Sequence, residues 1–214
     1  MQNINCIKED LKLYAITDRS WLNGRELIED VKLAIEGGIT FLQVREKNLD
    51  RELFINEINN IKEICNKNNI KIIINDNVEL AKKCDTDGVH IGQNDMDIES
   101  ARKILGSDKI IGVSAKTVKQ AIDAQKKGAD YLGVGAVFNT NTKKDASGVS
   151  IEELKNICQN VNIPVCAIGG ISEKNILKLS KTGVSGVAVI SAIFGKKDIK
   201  KACIDLKKKV EEII

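Results

Sequence analysis

The sequence predicts an α/β fold, a closed (β/α)8 barrel built as a single domain over residues 1–214. Two observations lead to this prediction. Short apolar, β-branched runs alternate with amphipathic helical patterns along the whole chain. The junctions that lead into the apolar runs also repeat in a regular order. Eight strands in 214 residues correspond to about 27 residues per strand and helix, close to the length of one such unit in a barrel.

The apolar runs are predicted as strands because they are short, rich in Val and Ile, and bounded by polar or small residues. They cover residues 11–17, 40–45, 71–76, 88–92, 109–115, 131–137, 164–169 and 186–191. Between them, apolar residues recur at helical spacing, for example at Leu27, Val31 and Ala34. Helices therefore follow strands throughout.

Two kinds of junction alternate along the chain. The first, third, fifth and seventh strands begin with Lys or Pro beside an apolar run. The others follow small or polar residues at 38–40, 84–87, 128–130 and 183–185, three of which supply a glycine suited to a helix C-cap. A β-α-β-α unit repeated four times is typical of a closed barrel, whose interior is filled from alternate strands. An open doubly wound sheet is the alternative, although eight strands rarely follow one another so regularly there.

Composition excludes several classes of protein. The 33 Lys and Arg nearly balance the 30 Asp and Glu, and only 3% of residues are aromatic, which argues against a nucleic-acid-binding module. A single histidine, His90, excludes a multi-histidine metal site. The six cysteines are far apart, as expected of buried thiols in a reducing compartment. With neither a signal-like start nor a membrane-length apolar stretch, we expect a cytoplasmic protein without membrane partners; its oligomeric state, including a homo-oligomer, stays open.

Barrel enzymes place their active sites at the carboxyl ends of the strands, so polar residues at those ends are the candidates. Gln43, Arg45 and Lys47 lie on one face of the second strand, and one amide and two cations suit a phosphorylated ligand. The alternative is a solvated strand edge in which these cations pair with Glu46.

Two carboxylates follow neighbouring strands. Asp76 comes directly after Asn75 at the end of the third strand, and Asp95 lies just beyond the fourth. Carboxylates are good ligands for Mg²⁺, which usually takes one or two of them together with phosphate oxygens. The alternative for each is a helix N-cap. His90 lies within the fourth strand and is interpreted as a hydrogen-bonded core histidine and not as a catalytic base.

The remaining candidates lie at the ends of the later strands. Ser114 ends the fifth strand, with a helix cap as the alternative. A long polar loop at 138–148 follows the sixth strand, and its hydroxyls and cations suit a phosphate. The seventh and eighth strands lead into Gly169-Gly170 and Ile190-Ser191, where backbone amides and a short extra helix are expected to hold a phosphate, against the alternative of a plain turn. The loop residues concerned are Thr140, Thr142, Lys143 and Lys144.

Taken together, these motifs resemble the thiamine-phosphate synthase family, and the resemblance extends over essentially the whole chain. No single motif is decisive, but their combination and order are specific. They lie at residues 13–18, 43–47, 74–76, 88–93, 112–114, 140–143 and 167–171.

The resemblance implies a TIM barrel that couples the pyrophosphate ester of 4-amino-5-hydroxymethyl-2-methylpyrimidine to a thiazole carboxyethyl phosphate, releasing pyrophosphate with the help of Mg²⁺. It implies that the leaving pyrophosphate departs before the thiazole nitrogen attacks. Mg²⁺ would be held by Asp76 and Asp95. The pyrimidine pyrophosphate would be bound by Gln43, Arg45, Lys47, Asn75, Ser114 and Lys143, of which Arg45, Lys47, Ser114 and Lys143 would act in catalysis. The thiazole phosphate would be bound by Thr140, Thr142, Gly170, Ile190 and Ser191.

Some positions depart from the family pattern. Ala136 and Asn139 lie in a segment where prolines are common, and Lys116 stands where a histidine is common. These changes bear on loop rigidity and rate, and the charged residues are retained. A thiazole tautomerase on the same fold and a non-catalytic phosphate-binding barrel are the alternative functions. The cations and carboxylates favour the synthase over the first, and the lack of an effector domain weighs against the second.

Overall fold

The computed structural model describes residues 4–46, 50–139 and 148–214, with side chains from Ile7 onward. Eight parallel strands form a closed barrel in sequence order, and β1 pairs with β8. The strands are β1 (Leu13–Ile16), β2 (Phe41–Val44), β3 (Lys71–Asn75), β4 (Gly88–Ile91), β5 (Ile110–Ala115), β6 (Tyr131–Val134), β7 (Val165–Ile168) and β8 (Gly186–Val189). The predicted (β/α)8 TIM barrel is therefore confirmed, whereas the outer limits of the domain stay a prediction.

Each strand lies within its predicted run and is shorter than that run. Seven of the eight strands end earlier than predicted because the chain turns at the barrel mouth. Asp76, for example, was predicted as the last residue of its strand but has φ 62°, which no strand residue adopts. The predicted junctions are confirmed, since Gly38, Gly128 and Gly183 have φ of 92°, 93° and 90°. At the remaining junction, residues 84–87, Asp85 has the left-handed backbone instead, with φ 47°.

Helices surround the barrel. They are α1 (Ile4–Asp10), α2 (Leu27–Glu36), α3 (Arg51–Lys67), α4 (Val78–Lys83), α5 (Ile98–Leu105), α6 (Val118–Lys126), α7 (Ile151–Asn160) and α8 (Ile199–Glu211). α1 precedes β1, and β7 and β8 are joined by a 3₁₀ helix, Ile176–Leu179, instead of an α-helix. Side chains of Asp50, Asn77, Asp97, Thr117, Ser150 and Asp198 accept hydrogen bonds from the first turns of α3 to α8.

The core has two parts. One lies between the strands and the helices, and the other fills the barrel interior around Tyr14, Phe41, Ile73 and Tyr131. The rings of Tyr14, Phe41 and Tyr131 pack edge to face, with centroids 4.9–6.0 Å apart. Because the interior is packed, a ligand site has to lie at the mouth.

The expectation of buried cysteines is confirmed at four of the five whose side chains the structure describes. Within the described side chains, Cys65, Cys84, Cys158, Cys166 and Cys203 are free thiols, and all but Cys158 are buried. None of the helices in the part of the chain that the structure covers combines the length and apolar character needed to cross a membrane.

Candidate active site

Arg45 is held at the mouth by the neighbouring strand end. Its side chain is 9% exposed, and Nη1 donates to Asp18 Oδ2 at 2.7 Å. Its backbone N–H donates to Thr17 Oγ1 at 2.9 Å. The alternative of a solvated edge is wrong for Arg45, because its side chain is buried and pairs with Asp18. Glu46 pairs with Arg19. A buried guanidinium that uses Nη1 for Asp18 retains further N–H groups for an anionic ligand.

Gln43 lies deeper on the same strand, two residues before Arg45. Its side chain is buried inside the barrel, and Nε2 donates to the Tyr14 hydroxyl. The alternation along β2 thus places Gln43 below Arg45 on the interior face, as the sequence predicted. Lys47 lies outside the described residues.

Asp76 and Asp95 follow neighbouring strands, since Asn75 at the end of β3 pairs in register with His90 on β4. Both carboxylates are exposed. The helix-cap alternative is wrong for both, because Asn77 caps α4 and Asp97 caps α5.

These two carboxylates could hold a divalent cation. Asp95 Oδ2 accepts a hydrogen bond from the Gly92 N–H at 2.6 Å, which orients the carboxylate and leaves Oδ1 for a ligand. Within residues 4–46, 50–139 and 148–214, no group of three or more His, Cys, Asp or Glu side chains converges on a metal position. Two oxygen donors from adjacent strand ends fit Mg²⁺, which takes its other ligands from water and phosphate oxygens.

Ser114 and His90 form a pair at the mouth. The Ser114 hydroxyl lies 2.9 Å from His90 Nε2, and His90 Nδ1 lies 2.9 Å from the Tyr131 hydroxyl. The interpretation of His90 as a hydrogen-bonded histidine is confirmed. The helix-cap alternative for Ser114 is wrong, because Thr117 caps α6.

The loop after β7 is shaped by two glycines. Gly169 and Gly170 have φ of 96° and 65°, and a Cβ on Gly170 would collide with the backbone carbonyls of Phe138 and Asn139. Asn175 Nδ2 donates to the Gly170 carbonyl at 2.9 Å. Turns that contain left-handed residues can direct successive backbone N–H groups toward an anion.

The loop after β8 begins a turn at Ile190, whose carbonyl accepts from the N–H groups of Ile193 at 3.1 Å and Phe194 at 2.9 Å. This hydrogen-bonded turn stands where the sequence led us to expect a short extra helix. As in a helix, amides at the start of such a turn have no partner within it, and here they include those of Ser191 and Ala192.

The loop after β6 is described only at its two ends. The Val149 N–H donates to the Ala136 carbonyl at 2.8 Å, which joins these ends, and Asn139 is exposed. Thr140, Thr142, Lys143 and Lys144 lie outside the described residues. Lys116, at the end of β5, has its backbone N–H bonded to Gln120 Oε1 at 2.8 Å.

The structure adds residues that the sequence analysis missed. Asp18 holds Arg45, and Tyr14 and Tyr131 link Gln43 to His90. Gln93 Nε2 donates to the Ser114 carbonyl at 2.7 Å. Asp18 lies just beyond β1, as Asp76 lies just beyond β3. A search for polar residues at strand ends, which identified Asp76, could therefore also have identified Asp18. The tyrosines stand among apolar strand residues, where they are not distinguished from core aromatics.

A cavity of about 390 Å³ lies outside the barrel between α2 and α3, lined by Arg19, Arg25, Leu53 and Glu57 among others. Its arginines are paired within the protein, Arg25 with Asp30 and Arg19 with Glu57. Because these charges already neutralise one another, we place the candidate site at the strand ends.

Comparison with known proteins shows the family of the chain. The family model for thiamine monophosphate synthase matches residues 13–193. Thiamine-phosphate synthase of Clostridium tetani is 53% identical over 197 residues, 92% of this chain and 94% of that protein. The Clostridium novyi enzyme of the same name is 52% identical over 192 residues, 89% of this chain and 94% of that protein.

Among solved structures, thiamine phosphate pyrophosphorylase from Pyrococcus furiosus superposes with a TM-score of 0.90 and 41% identity, covering 97% of this chain and 99% of that one. Both the fold and the sequence therefore match over nearly the full length of these relatives. The chain belongs to the thiamine monophosphate synthase family and is a transferase of thiamine biosynthesis.

Proposed function

We propose that this chain couples the pyrophosphate ester of 4-amino-5-hydroxymethyl-2-methylpyrimidine to a thiazole carboxyethyl phosphate, giving thiamine phosphate and pyrophosphate. Family membership supports the product, and the layout of the mouth supports two anionic substrates. Arg45, Asp76 and Asp95 lie at the ends of β2, β3 and β4, whereas the amides near Gly170 and Ser191 lie at the ends of β7 and β8. Two separate arcs of the rim thus suit two phosphorylated ligands.

The observation that carries the assignment is the buried Arg45 guanidinium, fixed by Asp18 at the strand end. A preorganised cation at the mouth stabilises charge that develops on a leaving pyrophosphate, because it needs little reorganisation during the reaction. Lys47 and Lys143 would add charge to the same group. When bound by Asp76 and Asp95, Mg²⁺ would supply Lewis acidity and further positive charge to the pyrophosphate.

The proposed reaction breaks the bond between the pyrimidine methylene carbon and the pyrophosphate oxygen, and the electron pair leaves with the pyrophosphate. The electron-rich aminopyrimidine then carries the positive charge until the lone pair of the thiazole nitrogen forms the new C–N bond. This order requires no strong general base. His90, the single histidine, supports this order of steps because both of its ring nitrogens already contact protein groups, the hydroxyls of Tyr131 and Ser114.

The thiazole phosphate would be held by backbone amides near Gly170 and Ser191, with hydroxyls from Thr140 and Thr142 and an apolar contact from Ile190. Orienting the thiazole nitrogen beside the methylene carbon would convert a bimolecular reaction into one between two groups held next to each other. Ser114, with Gln43 and Asn75, would hold the pyrimidine over the barrel interior.

The test is to mix the purified protein with both precursors and Mg²⁺ and to measure thiamine phosphate and pyrophosphate. The variant is Asp76→Asn, since asparagine tolerates the left-handed backbone at φ 62°. We expect product from the wild type and a loss of about 100-fold in the variant. The matched control is Asp85→Asn, another exposed aspartate with positive φ, 47°, at the opposite end of the barrel.

Four results would count against the proposal. Absence of product from the wild type would remove the synthase assignment. Isomerisation of the thiazole phosphate alone would point to the tautomerase, and binding of both ligands without turnover to the non-catalytic barrel. Undiminished product from Asp76→Asn would remove the assigned role of Asp76.

A further inference from the structure

Five polar side chains form one hydrogen-bonded line through the barrel interior, which we call the relay. It consists of Gln43, Tyr14, Tyr131, His90 and Ser114, each on a different strand. Gln43 Nε2 contacts the Tyr14 hydroxyl, which lies 3.0 Å from the Tyr131 hydroxyl. The next two links, to His90 and then to Ser114, each measure 2.9 Å. The relay therefore connects Gln43 and Ser114, two of the three residues proposed to hold the pyrimidine.

Both phenols in the relay stay protonated. Tyr14 and Tyr131 are fully buried, and burial raises the pKa of each phenol well above its ordinary value. A phenol has one proton and can therefore donate one hydrogen bond. When each phenol donates its proton within the relay, the direction of one link therefore fixes the direction of the next.

The Gln43 amide sets that direction. Its Nε2 donates to the Tyr14 hydroxyl, so the Tyr14 proton is available for Tyr131. With Tyr14 donating to Tyr131, the Tyr131 proton goes to His90 Nδ1, which accepts in the corresponding tautomer. A neutral imidazole that accepts at Nδ1 donates from Nε2, and the partner there is Ser114 Oγ.

Each end of the relay is left with one defined role. Ser114 Oγ receives the Nε2–H of His90, so its own proton can be donated to a ligand. Gln43 uses Nε2 within the relay, so its Oε1 is an acceptor for a ligand. A 4-aminopyrimidine offers the complement, an amino donor beside a ring-nitrogen acceptor. The 4-oxo counterpart offers the reverse, a carbonyl acceptor beside a ring N–H donor.

Resting on the proposed function, we propose that the relay makes Tyr14, Tyr131 and His90 positioning residues for substrate choice. They fix Ser114 as a donor and the Gln43 carbonyl as an acceptor, and so select the 4-amino over the 4-oxo pyrimidine. A site built to hydrogen-bond one pattern rejects the reversed pattern, because buried polar groups are then left without partners.

Two glycines on the interior face make room for the relay. A Cβ on Gly112 would collide with the Tyr131 ring, and a Cβ on Gly133 would lie 2.9 Å from His90 Cε1. Gly112 pairs with both His90 and Tyr131 in the sheet register. β5 and β6 therefore have no side chain at the positions that contact the rings of Tyr131 and His90. This supports a specific placement of the two rings in preference to loose packing.

The first test reads the relay directly. The chain has a single histidine, so protein with ¹⁵N-labelled histidine, freed of any purification tag, gives one imidazole spectrum. We expect the neutral form with the proton on Nε2. A spectrum showing the proton on Nδ1 would reverse the relay and overturn the proposal. This measurement requires no substrate.

The second test uses Tyr131→Phe, which keeps the ring packed against Tyr14 and Phe41 and removes the hydroxyl. Binding of the 4-amino and 4-oxo pyrimidine pyrophosphate esters is measured by calorimetry. We expect the preference of the wild type for the amino ester to fall about tenfold in the variant, and the His90 tautomer to become mixed. The control is Thr86→Val, which removes a buried hydroxyl bonded to the Gly88 carbonyl at 3.2 Å, outside the relay. It should leave both readouts unchanged.

The two proposals fail in different ways. If the wild type makes thiamine phosphate but Tyr131→Phe keeps the full amino preference, the relay proposal is wrong and the function stands. If the wild type makes no thiamine phosphate, the function is wrong, and the His90 tautomer still supports or overturns the direction of the relay. Should Tyr131→Phe fail to fold, Tyr14→Phe interrupts the relay one link earlier and carries the same expectation.

Discussion

Asp18 and Arg45 join the end of β1 to the end of β2 through a 2.7 Å bond between Oδ2 and Nη1, with both side chains largely buried. We predict that Asp18→Asn lowers kcat/KM for the pyrimidine pyrophosphate about tenfold, mainly through KM, because a charge-assisted bond that orients Arg45 is lost. Asparagine retains the oxygen that accepts from the Ser20 N–H at 3.0 Å, so the local turn is kept. Steady-state kinetics measure the effect.

The matched control is Asp130→Asn. Asp130 pairs with Arg102 at 2.6 Å, but it lies before β6, at the opposite end of the barrel. This variant should lose stability and keep KM. An unchanged KM in Asp18→Asn, or an equal rise in both variants, would show that Asp18 does not position Arg45 for the ligand.

Arg45→Ala tests the division of the mouth into two half-sites. We predict that Kd for the pyrimidine pyrophosphate rises about 100-fold, because a buried cation is removed and Asp18 loses its partner. Binding of the thiazole phosphate, measured by calorimetry on the same protein, should be largely intact. Equal loss of both ligands would contradict the division. Combined with Asp18→Asn, the two effects should be less than additive, since both variants break the same bond.

Much of the barrel was predictable from sequence because each strand and helix buries a face whose period is visible in the chain. The alternating junctions were equally clear, and the glycines at 38, 128 and 183 take the conformation that this pattern requires. The same logic placed Arg45, Asp76, Asp95 and Ser114 at strand ends, where the structure has them.

Contacts between strands distant in sequence were not predictable in this way. Tyr14 and Tyr131 meet at 3.0 Å across 117 residues, and nothing local separates either from a core aromatic. The residue that caps α4 could not be predicted either. Asp76 and Asn77 are both good capping residues, and only the structure shows that Asn77 is the N-cap. The sequence thus placed the candidate site residues at the strand ends, but it did not reveal the residues that support them.

Gly112→Ala should destabilise the fold. The added Cβ would occupy the position of the Tyr131 ring, which packs against Tyr14 and Phe41 and cannot move freely. We expect a loss of about 1–3 kcal/mol in the free energy of unfolding, measured with urea. Gly148→Ala is the control, since its Cβ would only approach the Ala136 carbonyl at 3.7 Å, and it should stay within about 0.5 kcal/mol of the wild type. Equal stability of the two variants would mean that the interior tolerates a shift of Tyr131.

Asp10, the last residue of α1, should make stability depend on pH. Its Oδ2 is buried and has no hydrogen-bond partner in the described part of the chain. Burial raises its pKa above the ordinary 3.8, Asp87 and Glu9 add to the rise, and Lys71 opposes it. Because the folded state binds this proton more tightly than the unfolded state does, stability from this group is present below pH 3.8 and is lost as pH increases through the raised pKa.

Asp10→Asn removes that titration. It should therefore stabilise the protein at pH 7 and have little effect near pH 3, where the carboxyl is largely protonated in both states. Urea unfolding across this range measures the difference. Asp123→Asn, which removes an exposed carboxylate paired with Lys127 on α6, should change stability by less than about 0.5 kcal/mol at either pH. A stabilisation by Asp10→Asn that persisted undiminished at pH 3 would show that the benefit comes from packing or from the helix end, and not from the buried charge.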